Sequence, residues 1–306
     1  MRIIVTGGAG FIGSHIVDDC IAKGHSVAVI DNLSTGSRRN LNRKARFHKA
    51  DIRDRAAIDR VFAKERPEAV NHHAALIEVT KSMRDPHGTF EANVLGTANV
   101  LAAFAAHGRG ARRRFVFAST GGAIYGEPKK LPANEATPIA PLSPYGLSKY
   151  LAEETIRFYA RLHGFSHVIL RYTNVYGPRQ NPNGEAGVVA IFTRLMKAGL
   201  RPTIFGDGSK SRDYVHVSDV VRANAAALRA ASDFTVNIGT GSGTTDRMIF
   251  DAIARATGFA KEPVFAPYRT GEVYRISLDA RLARRRLGWK PTVALDRGIK
   301  TVVDSL

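Results

Sequence analysis

The amino-acid sequence predicts an α/β fold: a doubly wound parallel sheet with a smaller α/β C-terminal lobe. Two observations lead there. Short apolar runs alternate with helical stretches through the first half of the chain, the pattern of β-α-β units. A glycine run, Gly7-Gly8-Ala9-Gly10-Phe11-Ile12-Gly13, sits between the first apolar run and the first helical stretch. After about residue 170 the regular alternation ends and turn formers multiply. The sequence therefore divides into a first domain, 1–170, and a smaller lobe, 171–306, with some later segments expected to return to the first domain.

Each element has a local reason. Arg2–Thr6 is a short β-branched run, the first strand. Residues 11–23 place apolar side chains at helical spacing and stop at Gly24. Further strands are expected at 26–30, 45–48, 69–71 and 114–118, with helices at 56–64, 89–107 and 144–163. Right-handed crossovers then put ligands at the carboxyl ends of the strands. In the second half the turns are Gly177-Pro178, residues 181–184 and Gly206-Asp207-Gly208.

Composition narrows the class. A chain of 306 residues buries about three quarters of its unfolded surface and needs no disulfide or metal to hold it. Apolar residues at 44% and charged residues at 24% argue against disorder, collagen-like repeats and coiled coil. No apolar stretch is long enough to span a membrane. The N-terminus, MRIIVTGGAG, is too short and too Gly-rich for a signal peptide. The single cysteine, Cys20, reads as a small core residue. The expected compartment is the cytoplasm.

Lys plus Arg number 45 and Asp plus Glu 27, a net charge of +18. The densest basic clusters, 112–114 and 284–286, contain no interleaved aromatics. This reads as a solvated, Arg-rich surface rather than a nucleic-acid footprint.

Gly8, Gly10 and Gly13 fit G-x-G-x-x-G, while Gly7, Gly10 and Gly13 fit G-x-x-G-x-x-G. The strand precedes, the helix follows, and Asp31 ends the second strand 18 residues after Gly13. Glycines let backbone N–H groups and the helix N-terminus approach a pyrophosphate. Asp31 accepts hydrogen bonds from ribose hydroxyls and repels a 2′-phosphate, so NAD is favoured over NADP. Arg38 and Arg39 nearby would accommodate a phosphate.

Tyr145 and Lys149 lie four apart, on one helix face. A tyrosine titrates near pKa ~10 and is a poor base at neutral pH. A neighbouring ammonium favours the phenolate and makes a general acid/base for a hydroxyl. Ser119-Thr120 follow the fifth strand, where ligands bind, and supply a hydroxyl for the same substrate oxygen.

These segments, with Asp31-Asn32-Leu33-Ser34-Thr35-Gly36, Asp51-Ile52, His72-His73-Ala74-Ala75, Asn93-Val94-Leu95-Gly96-Thr97 and residues 119–126, resemble the extended short-chain dehydrogenase/reductase superfamily. Residues 171–179, Phe205-Gly206-Asp207-Gly208, residues 212–217, 237–241 and 269–272 narrow the resemblance. They point to its nucleotide-sugar branch, closest to the UDP-hexose 4-epimerases.

The resemblance implies a Rossmann-like NAD site built from Gly7, Gly10, Phe11, Ile12, Gly13, Asp31, Asn32, Ser34, Thr35, Gly36, Asp51, Ile52, Ala74, Ala75, Tyr145, Lys149 and Tyr172. It implies Thr120, Tyr145 and Lys149 as the catalytic set. It also implies a UDP-sugar site from Thr120, Asn174, Val188, Thr203, Phe205, Arg212, Tyr214, Arg269 and Glu272. The expected reaction is NAD-dependent epimerisation at C4 of a UDP-hexose through a transient 4-keto sugar, by a homodimer paired through residues 89–107 and 144–163.

The departures are informative. The loop before Ile124-Tyr125-Gly126 is one residue longer than the commoner family form. Counting from the strand assigns the catalytic hydroxyl to Thr120 and keeps Ser119 in reserve. Ile77 stands where some members carry a lysine that helps hold NAD. His72 and His73, adjacent on a strand, point to opposite faces and are a poor metal pair. No other cluster suggests a metal. Gly121 and Gly122 stand where related dehydratases and decarboxylases carry an acid, and the nearest acid is Glu127. Ile276 falls near a family gate, where an intermediate side chain predicts poor acceptance of N-acetylated sugars. Another nucleotide-sugar epimerase, dehydratase or oxidoreductase, acting on UDP-glucuronate or a dTDP-sugar, and a non-catalytic nucleic-acid-binding relative stay open as alternatives.

Overall fold

The computed structural model describes residues 1–183 and 187–306. Strands β1 (Arg2–Thr6), β2 (Ser26–Asp31), β3 (Arg46–Lys49), β4 (Ala69–His72), β5 (Arg114–Thr120) and β6 (Ser166–Tyr172) join a later strand, Phe234–Ile238, in one sheet. The order is Phe234–Ile238, β6, β5, β4, β1, β2, β3, and every neighbouring pair is parallel. The strand order reverses between β1 and β4, which opens a crevice at their carboxyl ends.

Period-two alternation sends β1 side chains to both faces. Ile3 and Val5 pack under helix α1 (Phe11–Ala22) and the helices Val217–Arg229 and Arg281–Leu287. Ile4, with Ile30, Val70 and Phe117, packs on the opposite face under α2 (Arg55–Glu65). The helices α3 (Val79–Arg84), α4 (Pro86–Phe90), α5 (Gly96–His107), α6 (Gly121–Ile124) and α7 (Pro144–His163) complete the first half, with α5 and α7 on that second face. Cys20 is buried in the first of these cores.

The helix expected over 89–107 is interrupted. Residues Glu91–Leu95 form a π turn between α4 and α5. Such turns carry a side chain inward at functional sites. Here the Asn93 amide donates to Leu76 O and to Ser148 Oγ, both at 2.9 Å, and accepts from Leu76 N at 2.8 Å. The cluster read as exposed at 112–114 also needs correction. Arg114 is buried, donating to the carbonyls of Ser232 and Ala230.

Residue 170 falls inside β6, and both helix Val217–Arg229 and strand Phe234–Ile238 lie with the central sheet. Beyond the sheet, strand Asn174–Tyr176 pairs with Tyr214–His216, and Thr203–Phe205 with Val264–Ala266. Helices Val188–Lys197, Asp246–Thr257 and Leu295–Ser305 enclose a separate core around Tyr176, Phe192 and Phe250. Gly184, the last residue of the expected 181–184 turn, lies outside the described residues. Among the described residues, no helix is long and apolar enough to cross a membrane.

Candidate active site

The glycine run makes a tight passage from β1 into α1. Gly7 takes φ +69°, in the left-handed region open to glycine. A Cβ on Gly13 would stand 2.2 Å from Gly7 O, and one on Gly7 would stand 2.8 Å from Ala74 N. The N-cap of α1 is Gly10, without a side-chain cap, and its first turn holds no acidic residue. The helix N-terminus thus presents uncapped N–H groups and its positive end to the crevice.

Asp31 closes β2 beside this passage. Its Oδ2 accepts from Ala9 N at 3.0 Å and its Oδ1 from Leu33 N at 2.8 Å, so the carboxylate is fixed in orientation. A Cβ on Gly36 would come within 3.0 Å of that Oδ1. Asn32 donates to Asp51 Oδ2 at 2.8 Å, and Arg53 holds the Asp51 carboxyl well below the usual carboxylate range. The cradle that added Cβ atoms would fill, the uncapped helix end and the oriented carboxylate fit a dinucleotide pyrophosphate and ribose.

The chemistry lies at the other side of the crevice. Ser143 caps α7, accepting from Gly146 N at 3.2 Å, and Pro144 starts the helix. Tyr145 therefore sits in the first turn and Lys149 one turn on. Thr120 ends β5, which runs two residues beyond its expected end. Thr120 and Tyr145 line the same cavity. Burial pushes the Tyr145 phenol up to about 12, with the Thr120 hydroxyl opposing. The Lys149 ammonium lies 4.1 Å from the Phe117 ring centroid. Burial pulls it down to about 7, against the upward pull of Glu153.

Ser119 points elsewhere. Its hydroxyl donates to Glu153 Oε1 at 2.5 Å, within a buried network that includes Arg171, Tyr125 and Asn237. The geometry favours Thr120 over the reserve Ser119. His72 and His73 do face apart. His72 bonds Thr6 and Thr97 hydroxyls, whereas His73 stacks on Tyr172 with ring centroids 6.0 Å apart. Burial holds both imidazoles well below their ordinary range.

A cavity of about 550 Å³ runs from Phe11, Ile12, Thr120, Tyr145 and Tyr172 past Asn174 to Val188, Thr203, Phe205, Arg212, Tyr214, Arg269 and Glu272. Its size suits a small-molecule ligand. Arg269 lies 3.6 Å over the Phe205 ring centroid, and the Tyr214 hydroxyl is buried without a partner. Gly122 lines this cavity, where a side chain would face Asn174 Oδ1. Ile77 lines the wall as well, where it offers no charge. Ile276 does not reach the cavity. It is 1% exposed and packs with Ile124, Tyr125, Ala133, Val273 and Leu278, so the gate expected there is absent.

Sequence reasoning missed Glu153, Lys210 and Asp246. Glu153 continues the 145/149 spacing by one more turn, a signal that was available. Lys210 and Asp246 line the cavity from separate segments and leave no local pattern.

The fold and the glycine-lined crevice define a dinucleotide-dependent enzyme. The model of the NAD dependent epimerase/dehydratase family matches residues 3–239, and the chain belongs to that family. It is 44% identical to UDP-glucose 4-epimerase of Mycolicibacterium smegmatis over 310 residues, covering 99% of this chain and 98% of that protein. Two solved structures are similarly near. UDP-glucose 4-epimerase of Thermotoga maritima with UDP-glucose is 48% identical, with a TM-score of 0.97, covering 100% of this chain and 98% of the other. The UDP-glucose 4-epimerase of Thermus thermophilus in complex with NAD is 46% identical, with a TM-score of 0.94, again covering 100% of this chain and 98% of the other.

Proposed function

We propose that the protein is an NAD-dependent UDP-glucose 4-epimerase, interconverting UDP-glucose and UDP-galactose. The observation that carries this reading is the single cavity joining the hydroxyl pair Thr120–Tyr145 to the cations Arg212 and Arg269. Gly7, Gly10, Gly13 and Asp31 would hold NAD, with Phe11, Ile12 and Tyr172 along the crevice. When bound, NAD supplies a reversible hydride acceptor for C4 and a positive ring charge beside the phenol. Tyr145 draws the proton from the C4 hydroxyl while Thr120 steadies the same oxygen. Lys149 stabilises the phenolate as a cation.

Arg212 and Arg269 hold the diphosphate, so the 4-keto ring turns while the nucleotide stays fixed. Tyr145 then returns its proton on the other face. The two residues after Thr120 are glycines, and Glu127 accepts from the backbone N–H groups of Tyr274 and Arg275. An elimination acid is therefore lacking at the position where dehydratases carry one. Product NMR after incubation with UDP-galactose tests the reading. UDP-glucose is the expected product; a 4-keto-6-deoxy sugar, or CO₂ released from UDP-glucuronate in a parallel incubation, would overturn it.

We also propose a homodimer, with the cytoplasm as its compartment. Leu147, Leu151, Phe158 and Leu162 form an exposed apolar stripe along α7, and Leu95 is exposed on the neighbouring helical segment. A second copy covers such a face by four-helix packing. Light scattering at micromolar concentration is expected to give twice the 33.3 kDa chain mass; a monomer mass removes the proposal.

A further inference from the structure

The nucleotide end of the cavity mixes charges in a confined space. Lys210, Arg212, Asp246, Arg269 and Glu272 all line it. Lys210 is the hub of the mixture. Its ammonium lies 2.6 Å from Glu272 Oε2 and 3.3 Å from Asp246 Oδ2. The backbone ties the same pair, because Asp246 N donates to Lys210 O at 3.0 Å. Asp246 in turn opens helix Asp246–Thr257, which Thr245 caps. The Lys210 side chain is only 11% exposed and that of Asp246 10%. Solvent screening is weak at such sites, so single charges count.

Arg212 contrasts with Lys210. Its Nη1 donates to the carbonyls of Ser211 and Tyr274, at 3.1 and 2.8 Å. Among the described residues, no carboxylate oxygen lies within ion-pair distance of it. The buried Tyr214 hydroxyl beside it also lacks a partner. Both carboxylates of this end therefore face Lys210, and Glu272 also faces Arg269 at 4.0 Å. The guanidinium of Arg212 keeps its charge uncommitted.

We propose that Lys210 is a positioning residue for substrate binding. It occupies Asp246 and Glu272, so that neither carboxylate pairs with Arg212 or repels the diphosphate. The inference rests on the nucleotide-sugar reading and adds a residue and a role to it. With Lys210 present, three cations face two carboxylates and the cavity end is net positive. Without it the end is neutral and two carboxylates are released. Burial pushes the Asp246 carboxyl up and Lys210 pulls it back, in keeping with this arrangement.

The test compares ligands that differ in charge and share the nucleoside. Calorimetric titration with UDP and saturation-transfer NMR with uridine are run on the wild type, Lys210→Met and Lys210→Arg. Lys210→Met is expected to weaken UDP by roughly 10-fold or more and leave uridine within about 2-fold. It should also flatten the salt dependence of UDP binding. Lys210→Arg keeps the charge and should hold UDP within about 3-fold of wild type. Adding Asp246→Asn to Lys210→Met removes a released carboxylate and should recover part of the UDP affinity. Equal losses for UDP and uridine would mark Lys210 as merely structural and overturn the proposal. So would unchanged UDP affinity in Lys210→Met. A wild type that binds no UDP overturns the nucleotide-sugar reading itself, a result distinct from either.

Discussion

The Ser119 hydroxyl stands 2.5 Å from Glu153 Oε1, and the same carboxylate takes bonds of 2.9 and 2.6 Å from Arg171. Ser119 adjoins Thr120, Arg171 adjoins Tyr172, and Glu153 lies one turn beyond Lys149. One buried carboxylate thereby joins β5, β6 and α7 directly behind Thr120 and the Tyr145–Lys149 turn. Arg157 adds a further bond to Glu153 Oε2 at 3.0 Å. Burial pushes the Glu153 carboxyl up, but the bonds from Arg171 overcome it and keep the group ionised. Glu153 does not touch the cavity, so its influence on the chemistry runs through Lys149.

Glu153→Gln tests that influence. Burial draws the Lys149 ammonium down to about 7 even with Glu153 favouring its charged form. Removing the carboxylate charge lets the ammonium lose its proton at a lower pH. The alkaline limb of the kcat profile is expected to move to lower pH, and the melting temperature to fall. Loss of one partner from a buried pair costs on the order of 3–5 kcal/mol, an upper bound where glutamine keeps part of the bonding. A pH–rate profile measured below the melting transition decides; an unmoved alkaline limb leaves Glu153 a purely structural residue.

Tyr145→Phe separates chemistry from binding. The ring keeps its place in the first turn of α7, and only the hydroxyl is lost. Removing a general acid/base costs about 10²–10⁴-fold in rate. UDP and NAD affinities should stay near wild type. Single-turnover assays beside equilibrium titrations read both quantities, and a variant of full rate would exclude the phenol from proton transfer.

The glycine passage yields a graded pair of variants. A Cβ on Gly13 would stand 2.2 Å from Gly7 O, a distance that forces the backbone apart, whereas one on Gly10 would stand 3.1 Å from the same oxygen. Gly13→Ala is expected to displace α1 from β1 and lower NAD affinity by at least about 10-fold, worth roughly 1.4 kcal/mol. Gly10→Ala should be milder, because a shift of a few tenths of an ångström relieves it. Bound-NAD content after purification, with affinities by fluorescence titration, gives the comparison. Equal effects of the two variants would mean that the Gly7–Gly13 contact does not shape the cradle.

What was legible in the chain follows from how local its cause is. Gly7, Gly10, Gly13 and Asp31 are readable because a strand, a tight turn and a helix follow one another within a short stretch. Tyr145 and Lys149 are readable because one helical turn separates them. The π turn at Glu91–Leu95 was not, since it depends on Asn93 finding Leu76 and Ser148 from other segments. Arg114 read as surface from its basic neighbours, yet its guanidinium is spent on carbonyls more than a hundred residues away. Lys210, Asp246 and Glu272 come together only through the tertiary fold, each on its own segment. No spacing in the sequence could announce that cluster.

Ile276 shows the same limit and yields the last prediction. An offset counted along the chain placed it at a gate over the sugar, but an offset does not say which way a side chain faces. Its backbone N–H donates to Ser211 O at 3.1 Å, and its side chain packs away from the cavity, against Ile124 and Leu278 among others. Val273, three residues earlier, both joins that cluster and lines the cavity. Ile276→Val therefore removes one buried methylene and leaves the substrate space unchanged. The expected cost is about 0.5–1.5 kcal/mol of stability. For a chain of this size that lowers the melting temperature by roughly 1–4 °C. The ratio of kcat/KM for UDP-N-acetylgalactosamine to that for UDP-galactose should not change. Scanning calorimetry and paired epimerase assays measure the two effects independently. A changed ratio at unaltered melting temperature would return Ile276 to the sugar site and show that the cavity wall is drawn differently in the working enzyme.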